Sequence, residues 1–148
     1  MTAKRMSCCR FLGRAVVCCL VMSLCSCSRY NRPPLVPVQG QVFLESTPAH
    51  KAVVWFHPVG PVQPGSPRPR GVVDRDGSFT MGTHKSGDGA PAGKYRVAIY
   101  WKAPVRSGDQ DGESLIPYRY MDPDESGLPL VEVQEDPVTL PPFRLTLN

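Results

Sequence analysis

The chain of 148 residues has the length of a single domain and carries 17 Lys and Arg against 13 Asp and Glu, a net charge of +4. Four of the basic residues and none of the acidic ones precede Cys27, which leaves 13 basic against 13 acidic residues after it. A neutral remainder removes the compositional argument for a nucleic-acid-binding protein, and we expect no nucleic-acid partner.

The first 27 residues contain all six cysteines. They consist of a basic stretch 1–14, an apolar stretch 15–24 and a short closing segment. This order is typical of a secretory signal peptide. The ten residues of the apolar stretch rise only about 15 Å as a helix, half of a hydrocarbon core of about 30 Å. We therefore expect an N-terminal signal-peptide helix and no permanent span.

The closing segment is Leu24-Cys25-Ser26-Cys27. It resembles the bacterial lipobox, in which leucine and two small residues precede a cysteine that receives a diacylglycerol. The resemblance implies cleavage between Ser26 and Cys27 and lipid attachment at Cys27, with the chain held to a membrane and facing the periplasm or the cell surface. Cys25 departs from the family pattern, where alanine or serine is usual. Ser28 in place of an aspartate favours the outer membrane.

Two other chemistries for Cys25 and Cys27 have less support. A zinc site needs about four ligands, and no second cysteine pair or histidine pair follows in the sequence. A disulfide framework needs cysteines in the folded domain, and none follows Cys27. An uncleaved anchor and ordinary secretion stay open as alternatives. We divide the chain into a signal peptide 1–26, a tether 27–35 and a domain 36–148.

The domain shows the period of two that is typical of β-strands, with Gly, Pro and Asp between short apolar runs. The clearest predicted strands are 36–45, 51–58, 93–102 and 142–148. Weaker candidates are 71–74, 78–82, 117–121 and 128–134. All 17 prolines follow Cys27, and no long helical period is present. The pattern predicts an all-β fold, a sandwich or a small barrel.

The inward positions of these strands predict the core. Its predicted members are Val38, Val42, Val53, Trp55, Phe79, Val97, Ile99, Trp101, Val131, Phe143, Leu145 and Leu147. Without disulfides, this core alone has to offset the conformational entropy of the chain. Trp55 and Trp101 could stack a sugar or a peptide if exposed, but their inward positions favour packing.

Four segments carry a resemblance to a known family: VPVQGQVFLE, GVVDRDGSFTMGT, GKYRVAIYW and LPPFRLTLN. Their order resembles the carboxypeptidase regulatory-like domain of bacterial predicted lipoproteins, a domain related in fold to transthyretin. The resemblance covers about 36–147. It implies an antiparallel, Ig-like or transthyretin-like β-sandwich of about seven strands. The family supplies accessory, adhesive or unknown roles, so the resemblance implies architecture more than function.

Two acidic stretches are candidate calcium sites, since calcium takes six to eight oxygen ligands. Asp74-Arg75-Asp76-Gly77 has the composition of a hairpin turn and is predicted to be one. The loop 109–125 holds six acidic residues. We expect a solvated loop there, and a calcium- or ligand-binding module using this loop is the alternative function.

The loop 58–71 carries five prolines with Arg68 and Arg70, and overlapping P-x-x-P spacing that could present a polyproline II ligand. A stiff crossover between two strands is the alternative interpretation. If a partner binds, we expect 58–71 and 103–117 to contact it. The partner would be an envelope protein or a surface polymer.

Catalytic residues and cofactor-binding residues are not predicted. The chain has no H-E-x-x-H pair and no G-x-S-x-G elbow. The enzyme of the transthyretin fold, hydroxyisourate hydrolase, ends in Tyr-Arg-Gly-Ser, whereas this sequence ends Phe143-Arg144-Leu145-Thr146-Leu147-Asn148. His57 follows a predicted strand, where a packing or capping role is expected. We therefore expect a membrane-anchored, non-catalytic β-sandwich that binds in the cell envelope.

Overall fold

A computed structural model describes residues 32–62, 65–105 and 112–148. The predicted signal peptide and Cys27 lie outside the described residues. The regular secondary structure of the described part is nearly all strand, which confirms the all-β prediction. Its strands are β1 (Leu35–Val36), β2 (Val38–Leu44), β3 (Thr47–Pro48), β4 (Val53–Pro58), β5 (Arg70–Val72), β6 (Ser78–Thr80), β7 (Ala90–Pro91), β8 (Gly93–Tyr100), β9 (Val131–Val133), β10 (Val138–Thr139) and β11 (Phe143–Leu145).

The first large sheet is built around β2, which has partners on both edges. Along one edge it pairs antiparallel with β6 and then β3, and along the other edge it pairs parallel with β10 and then β11. The prediction of a wholly antiparallel sheet is wrong for β10 and β11. The physical reason is that the chain reaches β10 from β9 in the other sheet, so a crossover and not a hairpin sets its direction.

The second large sheet has the order β5-β4-β8-β9, with every pair antiparallel. β4 and β8 pair along their whole common length, from Val53 opposite Tyr100 to Pro58 opposite Tyr95. A separate two-stranded sheet joins β1 to β7. It lies where the chain enters the domain, directly before β2.

The predicted strand 117–121 is a 3-10 helix over Tyr118–Met121, so that prediction is wrong. Its backbone closes locally, since the Tyr120 N–H donates to the carbonyl of Pro117 at 3.1 Å. Tyr120 is the buried residue of this helix. The Tyr120 hydroxyl accepts the backbone N–H of Thr146, beyond β11, at 3.1 Å. This segment is therefore a helical turn anchored by the single side chain of Tyr120, and not a strand with alternating buried and exposed side chains.

One hydrophobic cluster collects buried residues from both large sheets. Most of the predicted core is buried there, namely Val38, Val42, Phe79, Val97, Ile99, Val131, Phe143 and Leu145. Val53 and Trp55 are half-buried instead, and Leu147 is 61% exposed because it lies beyond the end of β11. Trp101 packs against the cluster from its border, and its indole N–H donates to the carbonyl of His50 at 2.9 Å.

Candidate functional site

Trp55 lies on the outer face of the four-stranded sheet, so the prediction that it belongs to the core is wrong. β4 turns Val54 and Phe56 inward, where both are fully buried, so Val53 and Trp55 face outward. The pairing of β4 with β5 sets Trp55 opposite Arg70. The guanidinium carbon of Arg70 lies 5.6 Å from the centroid of the indole ring. A cation over an indole face is a favourable contact that also orders both side chains.

Val53, Trp55, Val72 and Tyr100 form what we call the Trp55 face. Val53 lies between Val72 of β5 and Tyr100 of β8 in the sheet register. Val72 is 57% exposed and the other three are half-buried. Tyr100 ends β8, whereas the first residue of β8, Gly93, follows the strand that pairs with β1. Tyr100 therefore lies at the end of β8 away from the point where the chain enters the domain.

Arg70 also borders a pocket of about 210 Å³ between β5 and the loop 82–89, which we call the Arg70 pocket. β5 contributes the side chains of Arg70 and Val72 to the pocket, and the loop contributes those of Thr83, His84, Lys85 and Ser86. Arg70, His84 and Lys85 are all exposed, and no acidic residue is among those that line the pocket. This composition favours an anionic ligand.

The loop 82–89 is held by the carboxylate of Asp88. That carboxylate accepts hydrogen bonds from the backbone N–H groups of Thr83, His84 and Lys85 at 2.6, 3.1 and 2.9 Å. Desolvation alone would raise the pKa of Asp88, but these hydrogen bonds and the charge of His84 outweigh it, so the pKa lies below its usual value. Asp88 is thus bound within the loop and gives the Arg70 pocket a fixed wall.

The loop 82–89 also adjoins the entry of the chain into the domain. β7, which follows the loop, pairs with β1, so that Val36 lies opposite Ala90. Gly89 approaches the backbone of Val36 so closely that a Cβ atom there would lie inside van der Waals contact with the Val36 carbonyl. The Arg70 pocket and the end of the predicted tether therefore share one end of the domain.

His57 is surrounded by charges on the same outer face. Its Nε2 is buried and has no hydrogen-bond partner among the described residues. Desolvation, and then the positive charge of Arg68, lowers the pKa of His57, while the charges of Asp124 and Asp122 oppose the shift. Arg96, opposite His57 in the register, forms an ion pair with Asp124 at 3.2 Å. The packing role expected for His57 fits this half-buried position.

The two predicted partner loops are described only in part, since 63–64 and 106–111 lie outside the described residues. In the first loop Pro69 is fully buried and Arg68 is exposed. Its proline-rich part is fastened to the sheet, because the Phe56 N–H donates to the Pro69 carbonyl at 2.9 Å. The second loop exposes Val105 and Leu115. Their role in partner binding stays a prediction.

The first acidic stretch is a tight turn, as predicted. The Asp74 N–H donates to the Ser78 carbonyl at 2.8 Å, and Gly77 adopts a φ of 87°. The carboxylate of Asp76 accepts both the hydroxyl and the backbone N–H of Ser78, at 2.7 and 3.0 Å. These hydrogen bonds of the carboxylate are typical of a turn, so the role of this stretch is structural.

The second acidic stretch is divided by the limits of the described residues. Asp122 accepts the Asp124 N–H at 2.8 Å, and Asp124 is paired with Arg96. Among the described residues no group of three His, Cys, Asp or Glu side chains is placed to hold a metal ion. Asp109 and Asp111 lie outside them, so calcium binding by this loop stays a prediction.

A polar groove of about 400 Å³ crosses the outer face of the five-stranded sheet. Gln39 lies between Thr80 of β6 and Thr139 of β10 in the register, and Gln41 lies beside Ser78. The Gln39 amide donates to the Thr139 hydroxyl at 2.9 Å. Asp74 also lines the groove, which has no basic residue among those that line it, so this face is chemically unlike the basic Arg70 pocket.

The predicted lipid-attachment residue Cys27 and the cleavage position after Ser26 lie outside the described residues. Within the residues that are described, no helix has both the length and the apolar character needed to cross a membrane. Comparison of the chain with protein-family models, with curated proteins and with solved structures returned no match.

The loop 82–89 is the part of the site that sequence reasoning missed. A signal was present, since Gly82, Gly87 and Gly89 bracket a polar stretch that contains His84 and Lys85. Closely spaced glycines mark a loop whose backbone adopts special conformations. The pattern could not show that Arg70 of β5 would complete a pocket with this loop.

Proposed function

We propose that this chain is a lipoprotein of the cell envelope, attached to a membrane by a lipid on Cys27, whose β-sandwich binds another envelope component without catalysis. The observation that carries the proposal is the order of a basic stretch, an apolar stretch and Leu24-Cys25-Ser26-Cys27. Two or three acyl chains on one residue make a stable anchor, whereas a single chain is marginal. The domain would then face the periplasm or the cell surface.

The proposed architecture is the transthyretin-like sandwich of carboxypeptidase regulatory-like domains. In its support, two large sheets contribute buried residues to one hydrophobic cluster. A two-sheet sandwich buries the inner faces of its sheets in this way. The parallel placement of β10 and β11 beside β2 departs from the wholly antiparallel arrangement that the resemblance implies.

The Trp55 face supports a binding role. Trp, Tyr and Arg dominate the binding energy of protein interfaces, and Trp55, Tyr100 and Arg70 are neighbours on this sheet. Val72 beside them is exposed, and burial of its apolar surface against a partner would be favourable. We assign Val53, Trp55 and Tyr100 of this face to an envelope protein partner, because Tyr100 lies at the end of β8 away from the chain's entry, whereas Arg70 and Val72 also line the Arg70 pocket.

The anchor is tested by the mass of the protein from the membrane fraction of a bacterial host. We expect the native chain to have lost residues 1–26 and to carry a lipid mass on Cys27. The variant Cys27→Ala should lack the added mass completely, because no other thiol lies at the cleavage position. An unmodified mass, or a chain that still begins at Met1, would overturn the anchor.

Binding through the Trp55 face is tested by photo-crosslinking in the same host. A photoreactive aromatic residue replaces Tyr100 in one variant and Gln41, which is exposed on the opposite sheet, in the other. We expect a discrete crosslinked envelope protein from position 100 that is absent from position 41, and its yield should fall at least about fivefold with Trp55→Ala. Equal products from both positions, or none from position 100, would contradict this assignment.

A further inference from the structure

We propose that the Arg70 pocket binds the anionic headgroups of the membrane that carries the anchor, and so fixes the orientation of the domain on that membrane. The inference rests on the proposed lipid anchor and assigns it a second, weaker contact. The ligand group is the phosphate of an anionic phospholipid. The juxtaposition that carries it is a pocket lined by basic side chains beside the point where the tether enters the domain.

The charge of the pocket is one part of the argument. Arg70, His84 and Lys85 are exposed around a single pocket, and Ser86 adds a hydroxyl to its rim. The nearest carboxylate in the loop, that of Asp88, is engaged by three backbone N–H groups. Each Lys or Arg near an anionic membrane surface contributes about a fivefold preference for the bound state.

The position of the pocket is the second part. The predicted tether 27–35 has nine residues and spans at most about 30 Å, so a lipid on Cys27 keeps its far end close to the bilayer. That end is Leu35 in β1, which pairs with β7 directly after the loop 82–89. Among the surfaces described above, the Arg70 pocket is therefore the basic surface that lies beside the end of the tether.

The distribution of acidic residues gives the contact a direction. Glu135 and Asp136 precede β10, which pairs with one edge of β2. The loop 82–89 follows β6, which pairs with the other edge. The end of the domain that receives the tether is therefore basic on one side and acidic on the other. An anionic membrane would attract the first side and repel the second, which selects one tilt.

The test uses the full chain, processed and lipidated in a bacterial host and reconstituted into vesicles. Cysteines are absent after Cys27, so Ala92→Cys, an exposed position directly after β7 that does not line the pocket, adds a single site for an environment-sensitive fluorophore. We expect its emission to shift to the blue in vesicles that contain phosphatidylglycerol, compared with phosphatidylcholine alone. Lys85→Glu should reduce the bound population at least about fivefold, and Arg75→Glu, in the turn 74–77, should leave it unchanged. Added salt should weaken the shift.

The outcomes separate this inference from the proposed function. The mass of the same preparation reports the lipid on Cys27: if it is missing, the anchor itself is wrong. If the lipid is present but the emission is the same in both kinds of vesicle, or Lys85→Glu and Arg75→Glu behave alike, the headgroup contact is wrong. A response to soluble polygalacturonate without a response to phosphatidylglycerol vesicles would overturn the membrane assignment in favour of an anionic polymer.

Discussion

Phe79→Ala is expected to lower the free energy of unfolding by about 3–5 kcal/mol, a large part of the stability of a domain of this size. Phe79 on β6 is 1% exposed and stacks on Phe143 of β11 at 6.2 Å between ring centroids. Its ring also fills the space beside two glycines, Gly40 in one sheet and Gly71 in the other. A Cβ atom at these glycines would meet the ring at 2.8 and 3.0 Å.

Because the ring reaches both sheets, its removal leaves a cavity that neither sheet can close alone. Denaturant titration followed by tryptophan fluorescence measures the change, with the slope of the transition as a check on two-state unfolding. The matched control is Phe79→Leu, which keeps much of the volume and should cost about 1 kcal/mol. Equal losses for both variants would show that the aromatic ring does not join the sheets as described.

Gly89→Ala is expected to destabilise the domain by about 3 kcal/mol or more, and to separate β1 from β7. Gly89 has a φ of 97°, a conformation that costs other residues about 1–2 kcal/mol. The added Cβ would also collide with the carbonyl of Val36, a backbone atom that has no alternative rotamer. Relief requires movement of β1, which pairs with Ala90–Pro91.

Gly87→Ala is the control that separates the collision with the Val36 carbonyl from the cost of the positive φ. Gly87 has a φ of 76°, but a Cβ atom there would meet only the Thr80 hydroxyl, at an ordinary 3.6 Å. It should therefore cost only the conformational part, about 1–2 kcal/mol. Thermal unfolding measures both variants, and hydrogen exchange at Val36 reports the pairing of β1. If the two variants lose the same stability, the close approach of Gly89 to Val36 does not exist in solution.

These two variants bear on the proposed site in different ways. Phe79 is buried between the two sheets and acts through their stability. Gly89 joins the loop 82–89 to the strand at the end of the predicted tether. Displacement of that loop would move His84 and Lys85 relative to Arg70. Gly89→Ala should therefore disturb the orientation of the domain on a membrane even at temperatures where the fold survives.

The local sequence pattern predicts side-chain burial correctly where one face of a strand packs on the core and the other face is exposed to solvent. In β8, Tyr95, Val97 and Ile99 were expected to point inward and are buried. Ala98 was expected to point outward, and it is also buried. Alternation gives the side of the sheet on which a residue lies, but it does not report what covers that side. At a small residue such as Ala98, the sequence does not show whether another segment of the chain covers the side chain.

The uniform run in β4 shows why the Trp55 face was not predicted. Residues 53–56 are all apolar, so no period distinguishes one side of the strand from the other. A shift of one residue exchanges the two faces of a strand, and register is fixed by pairing with β5 and β8. The sequence therefore predicts Trp55 in the core, and its contact with Arg70 depends on a strand register that the local pattern does not report.

The sequence alone predicts that the domain is all-β, where its longer strands lie, and that residues 74–77 form a turn. These properties depend on side chains within a few residues of one another. Only the tertiary structure decided that β10 and β11 run parallel to β2, that Trp55 faces outward, and that Arg70 meets the loop 82–89 at a pocket. Each of these depends on pairing between segments distant in the chain, for which short-range periodicity carries no information.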